Sequence, residues 1–184
     1  MALYQLDIIS FSFIIIVASI ISLDVEAHHP RDKISEACKN TRFPHICEGT
    51  AMLIPKSNDC GVTDIAKMSI QATLNKITEA KAITAKMMEA QTEDDMAHSS
   101  FEVCQQAYQD AIDALKESIK NMDARSHVDL MDNLSAAMSA FSTCDDGFAE
   151  ATGEDSPLAD VNSILTKLTS NSLALGEHIN LKHH

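Results

Sequence analysis

The sequence predicts an all-α protein: an antiparallel up-down-up-down four-helix bundle, preceded by a short helical hairpin that a disulfide pins. Three observations carry this. Glycine and proline are scarce (5 and 4 of 184 residues), aromatics are 4%, and Ala, Met, Leu, Lys and Glu recur without any β-branched alternation. Four long segments repeat apolar residues every three or four positions. Four of the five cysteines fall where two helical hairpins would bring them together.

Compartment decides how those cysteines are read. An uncharged run from Ile8 to Leu23 has the length of a secretory signal core and is short for a bilayer span, which takes about 20 residues. Val25 and Ala27 then stand at the −3 and −1 positions of a cleavage site after Ala27. No Lys or Arg precedes the run, which departs from the usual pattern. Residues 1–27 are therefore expected to be a signal peptide and 28–184 the mature, single domain, secreted to the cell exterior. Loss of Asp7, Asp24 and Glu26 raises the formal charge from −13 by three, to −10. An acidic chain of this kind repels nucleic acid and anionic membranes and favours a basic partner. No second apolar run approaches spanning length, so the mature form is expected to have no membrane contact.

The hairpin comes first. Two pieces, Asp32 to Asn40 and Pro44 to Leu53, are separated by Phe43-Pro44. Proline disfavours helix at the residue before it and breaks a run through it. In one continuous helix Cys38 and Cys47 would stand about 13 Å apart, beyond bridging distance. Folded back as a hairpin they can bond. Too few apolar residues lie there to hold the pieces otherwise.

The first bundle helix is expected from about Thr63 to Ala90, with Val62, Ile65, Ser69, Ala72, Ile77, Ala80, Ile83 and Met87 on its stripe. The second starts near Asp95 after a capping signal at Thr92-Glu93-Asp94-Asp95. Its stripe is Phe101, Cys104, Tyr108, Ala111, Leu115 and Ile119. The third follows a capping-box spacing at Ser126–Asp129 and carries Leu130, Leu134, Ala137, Met138, Phe141, Cys144 and Phe148. The fourth begins at Ser156-Pro157, Ser as N-cap and Pro at the first helical position. Leu158, Val161, Leu165, Leu168, Ser172, Leu175 and Ile179 repeat at nearly seven residues. Short connections make neighbours antiparallel.

A turn between Asn121 and Ser126 puts Cys104 and Cys144 equally far from it, roughly 30 Å along each helix, and each lies on its apolar stripe. They are expected to pair. Cys60 has no counterpart and is read as a free thiol in the loop before the first bundle helix.

No catalytic or metal-binding constellation emerges. There is no phosphate-cradling glycine loop, no CxxC and no zinc-ligand spacing. His28-His29 and His183-His184 are terminal pairs, and His45, His98, His127 and His178 are scattered. Ser, His and Asp lack the strand-turn-helix setting of a nucleophile elbow. The methionines read as core filler. No cofactor and no metal are expected. Asn133-Leu134-Ser135 is the one glycosylation sequon after residue 27, and it falls inside the third bundle helix.

The stretches CKNTRFPHIC (Cys38 to Cys47), CQQAYQDAIDAL (Cys104 to Leu115), LSAAMSAFSTCDDGF (Leu134 to Phe148) and SNSLAL (Ser170 to Leu175) resemble the plant invertase and pectin methylesterase inhibitor family. The resemblance spans residues 32–180. It implies bridges Cys38–Cys47 and Cys104–Cys144, a helical hairpin joined to a four-helix bundle, and an inhibitor rather than an enzyme. Members of the esterase branch bind pectin methylesterase one-to-one and cover its pectin-binding cleft. Members of the invertase branch place a Pro-Lys-Phe loop before the helix carrying the last bridge cysteine. That region here reads NMDARSHVDL, without Pro-Lys-Phe, and STCDDGF is closer to the esterase branch. The expected function is inhibition of pectin methylesterase in the cell wall. The alternatives are inhibition of acid invertase, or a helical secreted protein of this fold without either activity. Solvent-facing candidates for partner contact are Gln106, Gln109, Asp110, Asp113, Glu117 and Asp132.

Overall fold

A computed structural model of the protein describes residues 30–52, 61–91 and 95–179. The expected signal segment, Cys60 and the Thr92–Asp94 capping signal lie outside these residues. Among them the chain forms six helices: α1 (Pro30–Cys38), α2 (Pro44–Ala51), α3 (Val62–Ala90), α4 (Asp95–Ala124), α5 (His127–Thr152) and α6 (Ala159–Glu177).

Helices α3 to α6 form a closed ring of neighbours, α3 against α4 and α6, α5 against α4 and α6. The α1–α2 hairpin sits across α3 and α6. The apolar stripes meet inside. Ile65, Ile77, Tyr108, Leu115, Leu130, Leu134, Phe141, Leu165 and Leu175 are buried almost completely. Phe101 and Phe148 pack edge to face with centroids 4.8 Å apart, the arrangement the ring quadrupoles favour. One expected core residue is misplaced. Ile83 is 43% exposed, and Thr84 takes the inward position four residues after Ala80. At 100° per residue, four steps keep closer to the Ala80 direction than three do.

Both expected bridges are present. Cys38–Cys47 closes the hairpin with Cα atoms 5.6 Å apart. Cys104–Cys144 joins α4 to α5 at a Cα separation of 4.4 Å. So close an approach needs little between the helices. Gly147, three residues after Cys144, lets it happen: a Cβ there would meet Val103 Cγ1 at 3.1 Å.

Helix boundaries show how the ends are satisfied. The α4–α5 connection is two residues long. Ser126 N–H donates to the Asn121 carbonyl at 2.9 Å, with Arg125 between them in the left-handed region at φ 59°. This is the position where glycine usually ends a helix. Gly153 does so after α5, at φ 73° with its N–H on the Ala149 carbonyl. At α6 the sequence expectation is corrected by two residues. The helix begins at Ala159 with Leu158 as N-cap. Ser156 Oγ instead accepts the Leu158 N–H at 3.1 Å, and its carbonyl accepts the Ala159 N–H, so Ser156 and Pro157 form a lead-in turn. The bond runs i to i+3, tighter than an α-helical turn.

Two stability measurements follow. Replacing Cys104 and Cys144 together by Ala should lower the melting temperature by about 10 °C. A 40-residue loop is worth roughly 4 kcal/mol in the chain-entropy picture, and each kcal/mol moves a domain of this size about 2–4 °C; an unchanged midpoint would remove the bridge from the stability argument. Arg125→Gly should raise stability by about 0.5–1 kcal/mol, and Arg125→Val should lower it, because a β-branched residue resists φ 59°. Urea titration of the three proteins reads the order directly.

Candidate functional site

The polar residues of α4 fall into two rows by helical spacing. Gln106 Nε2 donates to Asp110 Oδ1 at 2.7 Å, and Gln109 Nε2 donates to Asp113 Oδ2 at 3.0 Å. Lysines on the same helix neutralise the next acids: Lys116 lies 3.7 Å from Asp113, and Lys120 pairs with Glu117. Cross-links tie this face to α3. Lys81 Nζ donates to Gln109 Oε1, Gln105 Nε2 donates to the Lys81 carbonyl at 2.6 Å, and Lys67 pairs with Asp123.

An open groove of roughly 860 Å³ runs between α3 and α4, with Gln109, Asp113 and Glu117 on its α4 wall. Gln106 and Asp110 are exposed beside it, while Asp132 stands exposed on α5 outside it. The structure thus gathers five of the six candidate contact residues on α4. Gln109 is half-buried rather than solvent-facing, because Lys81 reaches over it. Asn133 of the sequon is half-buried as well, its Nδ2 donating to the Asp129 carbonyl at 2.8 Å.

A second groove, roughly 460 Å³, separates α5 from α6. Its floor is the outer end of a buried polar chain. Tyr108 Oη on α4 donates to Asn162 Oδ1 on α6, and Asn162 Nδ2 donates to Asp145 Oδ1 on α5, both at 2.6 Å. Burial, with the Asp145 charge beyond, holds the Tyr108 phenol well above its ordinary value near 10. The phenol is therefore a fixed donor at any physiological pH. The hairpin is attached by a comparable device. Fully buried Asn171 accepts the Phe43 N–H at 3.0 Å and donates to the Phe43 carbonyl at 2.9 Å. One residue on, Ser172 Oγ donates to Ser69 Oγ at 2.9 Å across the α3–α6 seam. These residues were missed as organising groups by sequence reasoning. The available signal was polar Asn162 and Asn171 beside an apolar stripe, with Asn171 inside SNSLAL.

Among the described residues no group of His, Cys, Asp and Glu is placed to hold a metal, and no helix is long and apolar enough to cross a membrane. Neither groove is lined by a histidine or a cysteine among the described residues.

Residues 32–175 match the family described as plant invertase/pectin methylesterase inhibitor. The chain belongs to that family. The family is one of inhibitors, and the helical architecture agrees with it. A crystal structure of a mutant pectin methylesterase inhibitor from Arabidopsis superposes with a TM-score of 0.66, covering 79% of this chain and 96% of that one, at 18% identity. At that identity the likeness speaks for the fold. Among curated relatives, a probable pectinesterase/pectinesterase inhibitor from Arabidopsis thaliana is 28% identical over 79% of this chain. The chain spans only 26% of that protein's length. A putative invertase inhibitor from Platanus acerifolia is 22% identical and matches over 94% of both chains.

The Tyr108 chain gives a test. Tyr108→Phe leaves the Asn162 carbonyl oxygen without its donor inside the bundle and should cost about 1–2 kcal/mol, a melting shift of about 3–6 °C at neutral pH. Because folding raises the phenol's affinity for its proton, this stabilisation is complete below about pH 10 and is lost as pH rises further. Wild type should therefore lose more stability than the variant in melts above pH 10. Parallel curves would show that Tyr108 is not linked to folding.

Proposed function

We propose that the protein is a secreted inhibitor of plant pectin methylesterase, acting in the cell wall after removal of residues 1–27. It binds the enzyme one-to-one and covers the pectin-binding cleft with a face of the bundle formed by α4 and α5. The family leaves two target enzymes, and the observation that favours the esterase is the α4–α5 connection. It is a two-residue turn at Arg125–Ser126, tied by the Ser126 N–H to the Asn121 carbonyl. Nothing there projects as a loop, and no Pro-Lys-Phe stands in it.

Gln106, Gln109, Asp110, Asp113 and Glu117 on α4, with Asp132 on α5, are the contact candidates. The glutamine–carboxylate and lysine–carboxylate pairs along α4 hold these side chains in place before an encounter, which lowers the ordering cost of binding. Each carboxylate retains lone pairs for a basic partner group. A chain of net charge −13, or −10 once the leader is removed, should draw a basic enzyme and speed association.

The invertase reading rests on the full-length match to a putative invertase inhibitor. One assay separates the two. Pectin methylesterase and acid invertase are each titrated with the purified protein at low and high salt. Stoichiometric loss of esterase activity, weaker at high salt, is the expected result. Loss of invertase activity alone would transfer the function to the other enzyme, and esterase inhibition indifferent to salt would remove the electrostatic contribution.

A further inference from the structure

The two grooves differ in what they leave unused. Along α3 and α4 the lysines that line the groove, Lys81, Lys116 and Lys120, are engaged by Gln109, Asp113 and Glu117. In the α5–α6 groove, Arg42 and Lys167 form no ion pair among the described residues, although the chain carries an excess of acids. Lys167 Nζ lies 6.0 Å from the centroid of the half-buried Phe43 ring. The hydroxyls differ too. Most helical Ser and Thr here bond back to the carbonyl four residues earlier, as Thr73, Thr78, Thr84, Ser118, Ser139, Thr143 and Thr169 do. Ser142, Ser163, Thr166 and Ser170 line the α5–α6 groove and make no such bond. Each keeps one donor and two acceptor sites.

Charge is divided along the groove. Arg42, Phe43 and Lys167 stand at the hairpin end. Asp145, held by Asn162 Nδ2, stands about 7–8 Å further along α6, five residues at 1.5 Å each. The α6 wall from Ala159 to Ser170 is about 16 Å long. A ligand that fits offers a carboxylate to the two cations, several hydroxyls to the wall and to Asp145, and an apolar edge to Phe43.

We propose that the α5–α6 groove binds a short acidic sugar, an oligosaccharide of uronate units. The Arg42 guanidinium matches a sugar carboxylate in two-pronged fashion, and Lys167 adds a point charge. Asp145 accepts from ring hydroxyls with the lone pairs that Asn162 leaves free. The net negative charge of the protein opposes this at long range. At physiological salt the screening length is about 8 Å, so distant acids count for little while groups in contact keep their effect. The proposal does not rest on the inhibitory reading, because it is measured on the isolated protein.

The probe is trigalacturonate, titrated into the disulfide-intact protein at physiological salt by calorimetry and amide chemical shifts. The fully methyl-esterified trimer and a neutral trisaccharide are run alongside. Saturable binding of the acid alone is expected, with shifts at Phe43, Ser163, Thr166 and Lys167. Arg42→Ala and Lys167→Ala should each weaken it at least tenfold. Ser163→Leu, at an exposed position, should block the groove without lowering the melting temperature. Absence of saturable binding, equal binding of the neutral sugar or the ester, or undiminished binding by these variants would overturn the proposal.

Discussion

The buried bond between Cys104 and Cys144 is the constraint from which the rest of the bundle is set. It fixes two helices at one level and in one rotational setting, at a Cα separation that leaves no space for a side chain between the backbones. Everything one turn away inherits that setting. Tyr108, four residues after Cys104, is turned to the bundle centre, and Asp145, next to Cys144, is turned toward α6. Gly147 and Val103 meet at the next level, and Phe101 packs on Phe148 beyond them. An apolar stripe alone tolerates small slips along a helix. A covalent link with a glycine contact beside it does not.

Helix α6 is held differently. Its inward face carries Asn162, Thr169, Asn171 and Ser172 beside Leu165, Leu168 and Leu175. Each polar group is satisfied, and no buried side-chain nitrogen or oxygen among the described residues lacks a partner. Such groups are costly when misplaced, since a buried donor or acceptor without its partner forfeits its hydration. They therefore penalise every register of α6 except one. Asn171 extends this to the hairpin. Its amide pairs with both backbone groups of Phe43, so that α2 starts against α6 and the Cys38–Cys47 bridge closes what Asn171 has already placed.

The same interactions shape the surface. Because α4 is tied to α3 through Lys81 and Lys67, its acidic and amide side chains form an ordered face rather than a set of free rotamers. Because Asn171 seats Phe43 against α6, Arg42 and Lys167 come to one end of the α5–α6 groove. The ordered polar face of α4 and the polar cleft between α5 and α6 thus both follow from how the bundle is locked.

Helical class, the order of six segments and both bridges were legible in the chain, since they depend on spacing along one helix or on symmetry about a short turn. The core stripe of α5 was legible for the same reason, because Leu130 to Phe148 repeat at helical intervals. The candidate row on α4 could be read as a face, but the half-burial of Gln109 could not, because it depends on Lys81 of another helix. Arg125 at positive φ carried no signal in its identity, as nothing about arginine marks a left-handed residue; the shortness of the connection imposes it. Ser156 promised a cap and became a lead-in turn, since Leu158 had to be buried before α6 could begin. Sequence by itself determined which residues are apolar, where helices break and which cysteines can meet, all of them local or symmetric properties of the chain. Tertiary structure decided the partners of Asn162, Asn171 and Tyr108, because a hydrogen bond between residues 54 or 128 positions apart exists only once the helices are packed.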